Sequence, residues 1–147
     1  MTKEDIYHKC LDILNKRIEK YNAEIAYIKE SIENNDKTGD DEEGSNSGNF
    51  DDAYTKQLQY LEEASKMKNQ LKQIDIFQSN DEVKIGSVVK ASNGYFFLSI
   101  PLGKVDVEGT AIFAISKEAP VGQLLLHKKV GEKITFNNNS FEILEIL

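Results

Sequence analysis

The chain has 147 residues, with 18 Lys and Arg against 25 Asp and Glu, a formal net charge of −7; this allows one or two small domains and excludes a large enzyme. Such an acidic balance offers no surface for displacing counterions from a phosphate backbone, so autonomous nucleic-acid binding is not expected. A lone cysteine, Cys10, excludes an internal disulfide, and the sequence holds neither a long apolar run nor the apolar core of a signal peptide at MTKEDIYHKC, so a cytoplasmic protein free of membranes is expected.

Residues 1–77 read as helical. Tyr7, Leu11, Leu14, Ile18, Tyr21, Ile25, Ile28 and Ile32 alternate at spacings of four and three, a heptad stripe that needs a partner helix along its length. Thr2 with Asp5 three residues on caps its start. Cys10 adjoins Leu11 at the edge of the seam and reads as an inert small hydrophobe. His8 falls on the outer side. A second stripe, Tyr54, Leu58, Leu61, Ala64, Met67, Leu71 and Ile74, supplies the partner within the same chain. Between the stripes, residues 34–52 are rich in Asn, Asp, Ser and Gly and read as a non-helical tip. The expected structure is an antiparallel coiled-coil hairpin, and the protein is expected to be a monomer.

The tip carries Asp36, Asp40, Asp41, Glu42, Glu43, Asp51 and Asp52 against Lys37 alone. Clustered carboxylates repel one another unless a cation or a basic partner meets them. Hard divalent ions such as Mg²⁺ are held by one or two carboxylates together with ligands from elsewhere. A well-solvated polar loop is the plain alternative.

Residues 78–147 hold both prolines and six of the nine glycines and follow a shorter period. Val83, Ile85, Val88 and Val89 form an apolar run before the turn Ser92-Asn93-Gly94, and Tyr95–Ile100 and Ala111–Ile115 read as strands. Pro120 opens one short helix through Leu124–Leu126. Lys133–Phe136 and Phe141–Ile146 flank an Asn-rich hairpin. The fold class is therefore α+β: a coiled-coil hairpin at 1–77 and a small, mostly antiparallel β domain with one short helix at 78–147. No phosphate loop, nucleophile elbow or zinc spacing is present, and His8 and His127 stand apart. Catalysis by this chain alone is not expected.

Several strings resemble the Gre family (GreA and GreB) of bacterial transcript-cleavage factors. Val83-Lys84-Ile85-Gly86-Ser87 is similar to the first strand of that family's C-terminal domain. The segment Ala119-Pro120-Val121-Gly122-Gln123-Leu124-Leu125-Leu126-His127-Lys128-Lys129-Val130-Gly131-Glu132 resembles its Pro-x-Gly helix and following turn. Phe141-Glu142-Ile143-Leu144-Glu145-Ile146 resembles its last strand. The resemblance implies an FKBP-like fold for residues 80–147 that docks on RNA polymerase beside its secondary channel, with Pro120, Val121, Gln123, Lys128 and Lys129 as the contact residues. It also implies that tip acids help to hold a second Mg²⁺ at the polymerase active site, while the free protein carries no cofactor and the polymerase performs the hydrolysis. Gly39-Asp40-Asp41-Glu42-Glu43 keeps the family's Gly-Asp-x-x-Glu, which makes Asp40 and Glu43 the assisting, metal-holding pair. A second alignment puts Asp51 and Asp52 in that role. Gly44 and Ala119 stand where the family has Asn and Ser, and some family members with altered tips inhibit the polymerase instead of rescuing it. The rival readings are such an inhibitor, a regulator sharing only the C-terminal domain, and a peptidyl-prolyl isomerase with Phe96, Phe97 and Phe113 lining its pocket.

Overall fold

The computed structural model describes residues 1–37, 44–79 and 81–147. The chain is α+β and divides into two compact units, one of residues 13–66 and one joining residues 1–12 to 67–147. Helix α1 spans Lys3–Lys37 and α2 spans Gly44–Lys72. The start of α1 is fixed by a reciprocal cap: Thr2 N donates to Asp5 Oδ2 at 2.8 Å, and Asp5 N donates to Thr2 Oγ1 at 3.2 Å.

Within residues 13–66 the two helices run antiparallel. The Tyr21 and Tyr60 rings lie 5.6 Å apart and Lys29 Nζ sits 5.8 Å from the centre of the Tyr54 ring, so numbers rise along α1 as they fall along α2. Leu14, Ile25, Ile28 and Ala64 are buried along this pairing. Two expectations need correction here. Residues 34–37 and 44–52 are helical rather than part of a non-helical tip. Asn, Asp and Ser cost a helix only up to about 0.7 kcal/mol each, which propagation from a paired helix overcomes. In addition, Leu58 is exposed, and the neighbouring Gln57 buries its side-chain oxygen instead. Residues 57 and 58 straddle the seam of a 3.6-residue helix, and the covered flank is that of Gln57.

The other unit is built on a six-stranded sheet ordered β3-β4-β2-β1-β6-β5. Its strands are β1 (Val88–Ala91), β2 (Gly94–Leu98), β3 (Gly103–Val107), β4 (Thr110–Ile115), β5 (Lys133–Phe136) and β6 (Asn139–Ile146), with the short helix α3 (Pro120–Leu125) between β4 and β5. Strand β3 lies in a stretch with no strand expected. It joins β4 through the two-residue turn Glu108-Gly109, with φ of 52° and 83°, the pattern of a type I′ hairpin. Asn137 and Asn138, at φ of 51° and 65°, make the same turn between β5 and β6. All pairings are antiparallel except β2 with β4, which run parallel from Tyr95↔Ile112 to Leu98↔Ile115.

The expected run from Val83 to Val89 is not one strand. Glu82 makes a single bridge to Lys129, and the chain then turns before β1 begins at Val88. The turn is closed by Ser87 N donating to Lys84 O at 3.0 Å and Lys84 N donating to the buried Ser87 Oγ at 2.9 Å. Gly86 stands in it at φ +97°, where a Cβ would lie 2.9 Å from both Asp75 O and Ile74 Cγ2. Conformation and space both require glycine there.

Side chains alternate across the sheet. On the face that carries α3, Val83, Val89, Ala91, Leu98, Leu125, Ile134, Phe141 and Ile143 form one buried cluster, with Phe96, Ile115, Val121, Leu124 and Leu126 against it. Val88, Phe97, Val105, Ile112 and Ala114 belong to the opposite face and are also buried. Ile6, Cys10 and Leu71, from the helices of this unit, and Ile76, beyond the end of α2, are buried as well. Cys10 is thus fully enclosed rather than at a seam edge, because the buried stripe shifts back by one residue at this end. A 3.6-residue helix drifts from a 3.5-residue repeat.

Candidate functional site

The acidic pair Asp40 and Glu43 lies outside the described residues. Asp51 and Asp52 fall on α2 and are exposed. Consecutive helical residues project about 100° apart, so these two carboxylates do not converge on one ion as a pair. Among the described residues, no three His, Cys, Asp or Glu side chains group as metal ligands. Among the same residues, no helix is long and apolar enough to cross a membrane.

The C-terminal candidate residues come together around α3. Pro120 occupies its first position with its ring exposed, and Ala119, the residue before it, supplies no side-chain cap. Instead Gln123 N donates to Ala119 O at 2.8 Å, and Gln123 Nε2 folds back to Glu118 O at 3.1 Å. Gln123 and Pro120 are therefore presented outward, whereas Val121 is half-buried against the core cluster. Leu125 anchors the helix from below, fully buried.

Beyond α3 the chain turns sharply at His127, φ +69°. Its N donates to Val83 O at 2.8 Å, and Val83 N donates to Lys128 O at 2.8 Å. His127 Nδ1 lies 3.3 Å from Glu82 Oε1. Lys129 N donates to Glu132 Oε2 at 2.6 Å, while Gly131 N donates to Ile143 O and Ile143 N to Glu132 O. Because α3 ends at Leu125, Lys128 and Lys129 do not sit in its last turn. They serve this bridged segment, Lys129 exposed and Lys128 half-buried.

Around the expected contact residue Lys129 the structure adds Ser79, Asp81, Glu82 and Lys84, which with it line an open polar recess of about 380 Å³. Val130 and Leu144, 57% and 47% exposed, flank the Gly131–Ile143 hydrogen bond and add exposed apolar side chains there. Their exposure follows from pairings between distant segments, for which the local sequence carries no signal. The isomerase pocket does not form as expected: Phe96 and Phe113 share the α3 face with rings 6.0 Å apart, but Phe97 is buried on the other face.

No family model matches this chain, and no curated protein does. Two solved structures align with it over most of both chains. The transcription factor Gfh1 shares 16% identity, with a TM-score of 0.39, over 94% of this chain and 93% of that one. The GreA factor homolog 1 (Gfh1) protein of Thermus thermophilus shares 16% identity, with a TM-score of 0.36, over 93% of this chain and 94% of that one.

Proposed function

We propose that this chain is a Gre-like factor that binds RNA polymerase and modulates transcript elongation through carboxylates carried between α1 and α2. One observation carries the reading. The three strings on which the family resemblance rests, residues 83–87, 119–132 and 141–146, lie far apart in sequence yet are tied together by backbone hydrogen bonds. Val83 bonds to His127 and Lys128, and Ile143 bonds to Gly131 and Glu132. Side chains from all three meet in one core, with Val83, Leu125, Phe141 and Ile143 as shared members. A chance likeness of short strings has no reason to assemble into one surface.

In this reading Pro120, Gln123, Lys128 and Lys129 contact the polymerase, with Val130 and Leu144 adding apolar area. The antiparallel pairing of α1 and α2 brackets residues 38–43 between the C-terminus of one helix and the N-terminus of the other. Asp40 and Glu43 offer the hard oxygen donors that a Mg²⁺ shared with the polymerase active site takes. When bound, such an ion stabilises the attacking and leaving oxygens of phosphodiester hydrolysis. This chain contributes ligands and the catalyst is the polymerase.

The test is a purified elongation complex stalled in a backtracked position. Adding the protein is expected to shorten the RNA from its 3′ end, and replacing Asp40 and Glu43 together by Ala is expected to abolish shortening while binding and helicity persist. Slowed elongation without shortening would replace stimulation by inhibition. Loss of shortening in Asp51→Ala/Asp52→Ala, but not in Asp40→Ala/Glu43→Ala, would transfer the role to the other acids.

A further inference from the structure

Strand β3 is one edge of the sheet, and its geometry goes beyond the polymerase reading and does not rest on it. Val107 and Thr110 flank the two-residue turn Glu108-Gly109 and pair across it. In a two-residue hairpin that flanking pair exchanges both backbone hydrogen bonds, and bonded and non-bonded pairs then alternate along the ladder. Val105↔Ile112 is therefore bonded, while Asp106↔Ala111 and Lys104↔Phe113 are not. The N–H and C=O groups of Lys104 and Asp106 consequently point away from β4, towards the side where no strand follows. Both side chains are exposed, and neither has an ion-pair partner among the described residues.

We propose that β3 is a self-pairing edge, through which a second copy of this chain adds antiparallel about a twofold axis at Val105. In that register Lys104 stands opposite the partner copy's Asp106 and Asp106 opposite its Lys104, so each contact joins opposite charges. The same residues carry the outward backbone groups, so each pair also exchanges two backbone hydrogen bonds. The sequence selects this register against its neighbours: sliding by two residues either way sets Lys104 against Lys104 or Asp106 against Asp106, and like charges directly opposite destabilise a ladder. A charged edge strand ordinarily deters pairing. Here the alternation of sign admits one partner, itself. The pairing joins the two sheets edge to edge and leaves the β5 edge free, at the far end of the strand order.

Sedimentation of the full chain from micromolar to millimolar concentration tests this. The wild type is expected to rise from the 16.6 kDa of one chain towards twice that mass, less so as salt screens the exposed charges. Asp106→Lys and Lys104→Asp each place like charges across the axis and are expected to stay at the single-chain mass. The double variant Lys104→Asp/Asp106→Lys restores complementarity and is expected to associate again. Thermal melts matching the wild type would verify that each variant folds. A wild type that stays at 16.6 kDa throughout overturns the proposal, as does a single variant that associates like the wild type or a double variant that does not.

Discussion

Gly122→Ala sets two effects of known size against each other inside α3. Helix propensity alone favours the change by about 1 kcal/mol, since alanine is the best helix former and glycine among the worst. The structure opposes it. A Cβ at position 122 would fall within the contact radius of Ser116 O, 3.0 Å from Ser116 C and 3.2 Å from Lys117 Cα. All three are backbone atoms, and Ser116 O also accepts the bond from Ala119 N that leads into the helix. No side-chain rotation relieves the clash, so α3 must shift, and Leu125 with it, out of the core. Overpacking of this kind costs about 1–3 kcal/mol and occasionally more. Taking the upper part of that range and subtracting the propensity gain leaves a destabilisation of about 2 kcal/mol. For a chain of this size that lowers the midpoint of thermal unfolding by roughly 4–8 °C. Far-UV circular dichroism or calorimetry on purified variant and wild type reads it directly. An unchanged or raised midpoint would refute the reasoning, because propensity would then have won and the approach of α3 to residues 116–117 would be looser than described.

Gln57→Leu is expected to stabilise the helical pair by about 1–2 kcal/mol, because it removes a buried carbonyl oxygen that has no hydrogen-bond partner among the described residues; a higher denaturation midpoint at unchanged slope checks it. The Cys10 thiol, pushed up to about 11 by burial from an ordinary 9.0, is expected to react with a thiol reagent only after unfolding. Its linkage has a definite sign. The folded state holds the proton longer than the unfolded one, so this contribution is intact below pH 9 and is lost as pH climbs from about 9 to 11; denaturation curves across that window report it, and Cys10→Ala should flatten the fall. For Asp5, the hydrogen bond its carboxylate accepts from the Thr2 backbone N–H, and then the one from the Thr2 side chain, hold the pKa below the usual carboxylate value. Its capping contribution is present above the unfolded pKa and is lost as pH falls through the folded one, and an NMR titration should move back towards the ordinary value in Thr2→Val.

What the sequence made legible was local. The Thr2–Asp5 cap, Pro120 at the head of α3, and the Asn137-Asn138 turn between β5 and β6 each depend on neighbours within a few residues. The glycines of the family strings were visible too, but their reasons were not. Gly86 answers to Ile74 and Asp75, and Gly122 to Ser116. Strand β3 was within reach, since Lys104 and Asp106 alternate with Val105 and Val107 before Glu108-Gly109. The parallel pairing of β2 with β4 had no local signature, because register between non-adjacent segments is set by the assembled core. The same holds for the juxtaposition of Glu82 with His127 and of Val130 with Leu144. Polar composition misled at residues 34–37 and 44–52, where helix continues. Asp40 and Glu43 were legible as the Gly-Asp-x-x-Glu string at residues 39–43, a pattern carried entirely by neighbours in sequence.

The most direct test of the account is equilibrium binding of the purified chain to bacterial core RNA polymerase, measured beside a variant carrying Lys129→Glu and Val130→Asp. Saturable binding is expected of the wild type and at least about a tenfold loss in the variant, a difference of roughly 1.4 kcal/mol, with the fold of both intact by circular dichroism. A polymerase that ignores the wild type, or that binds wild type and variant equally, would contradict it.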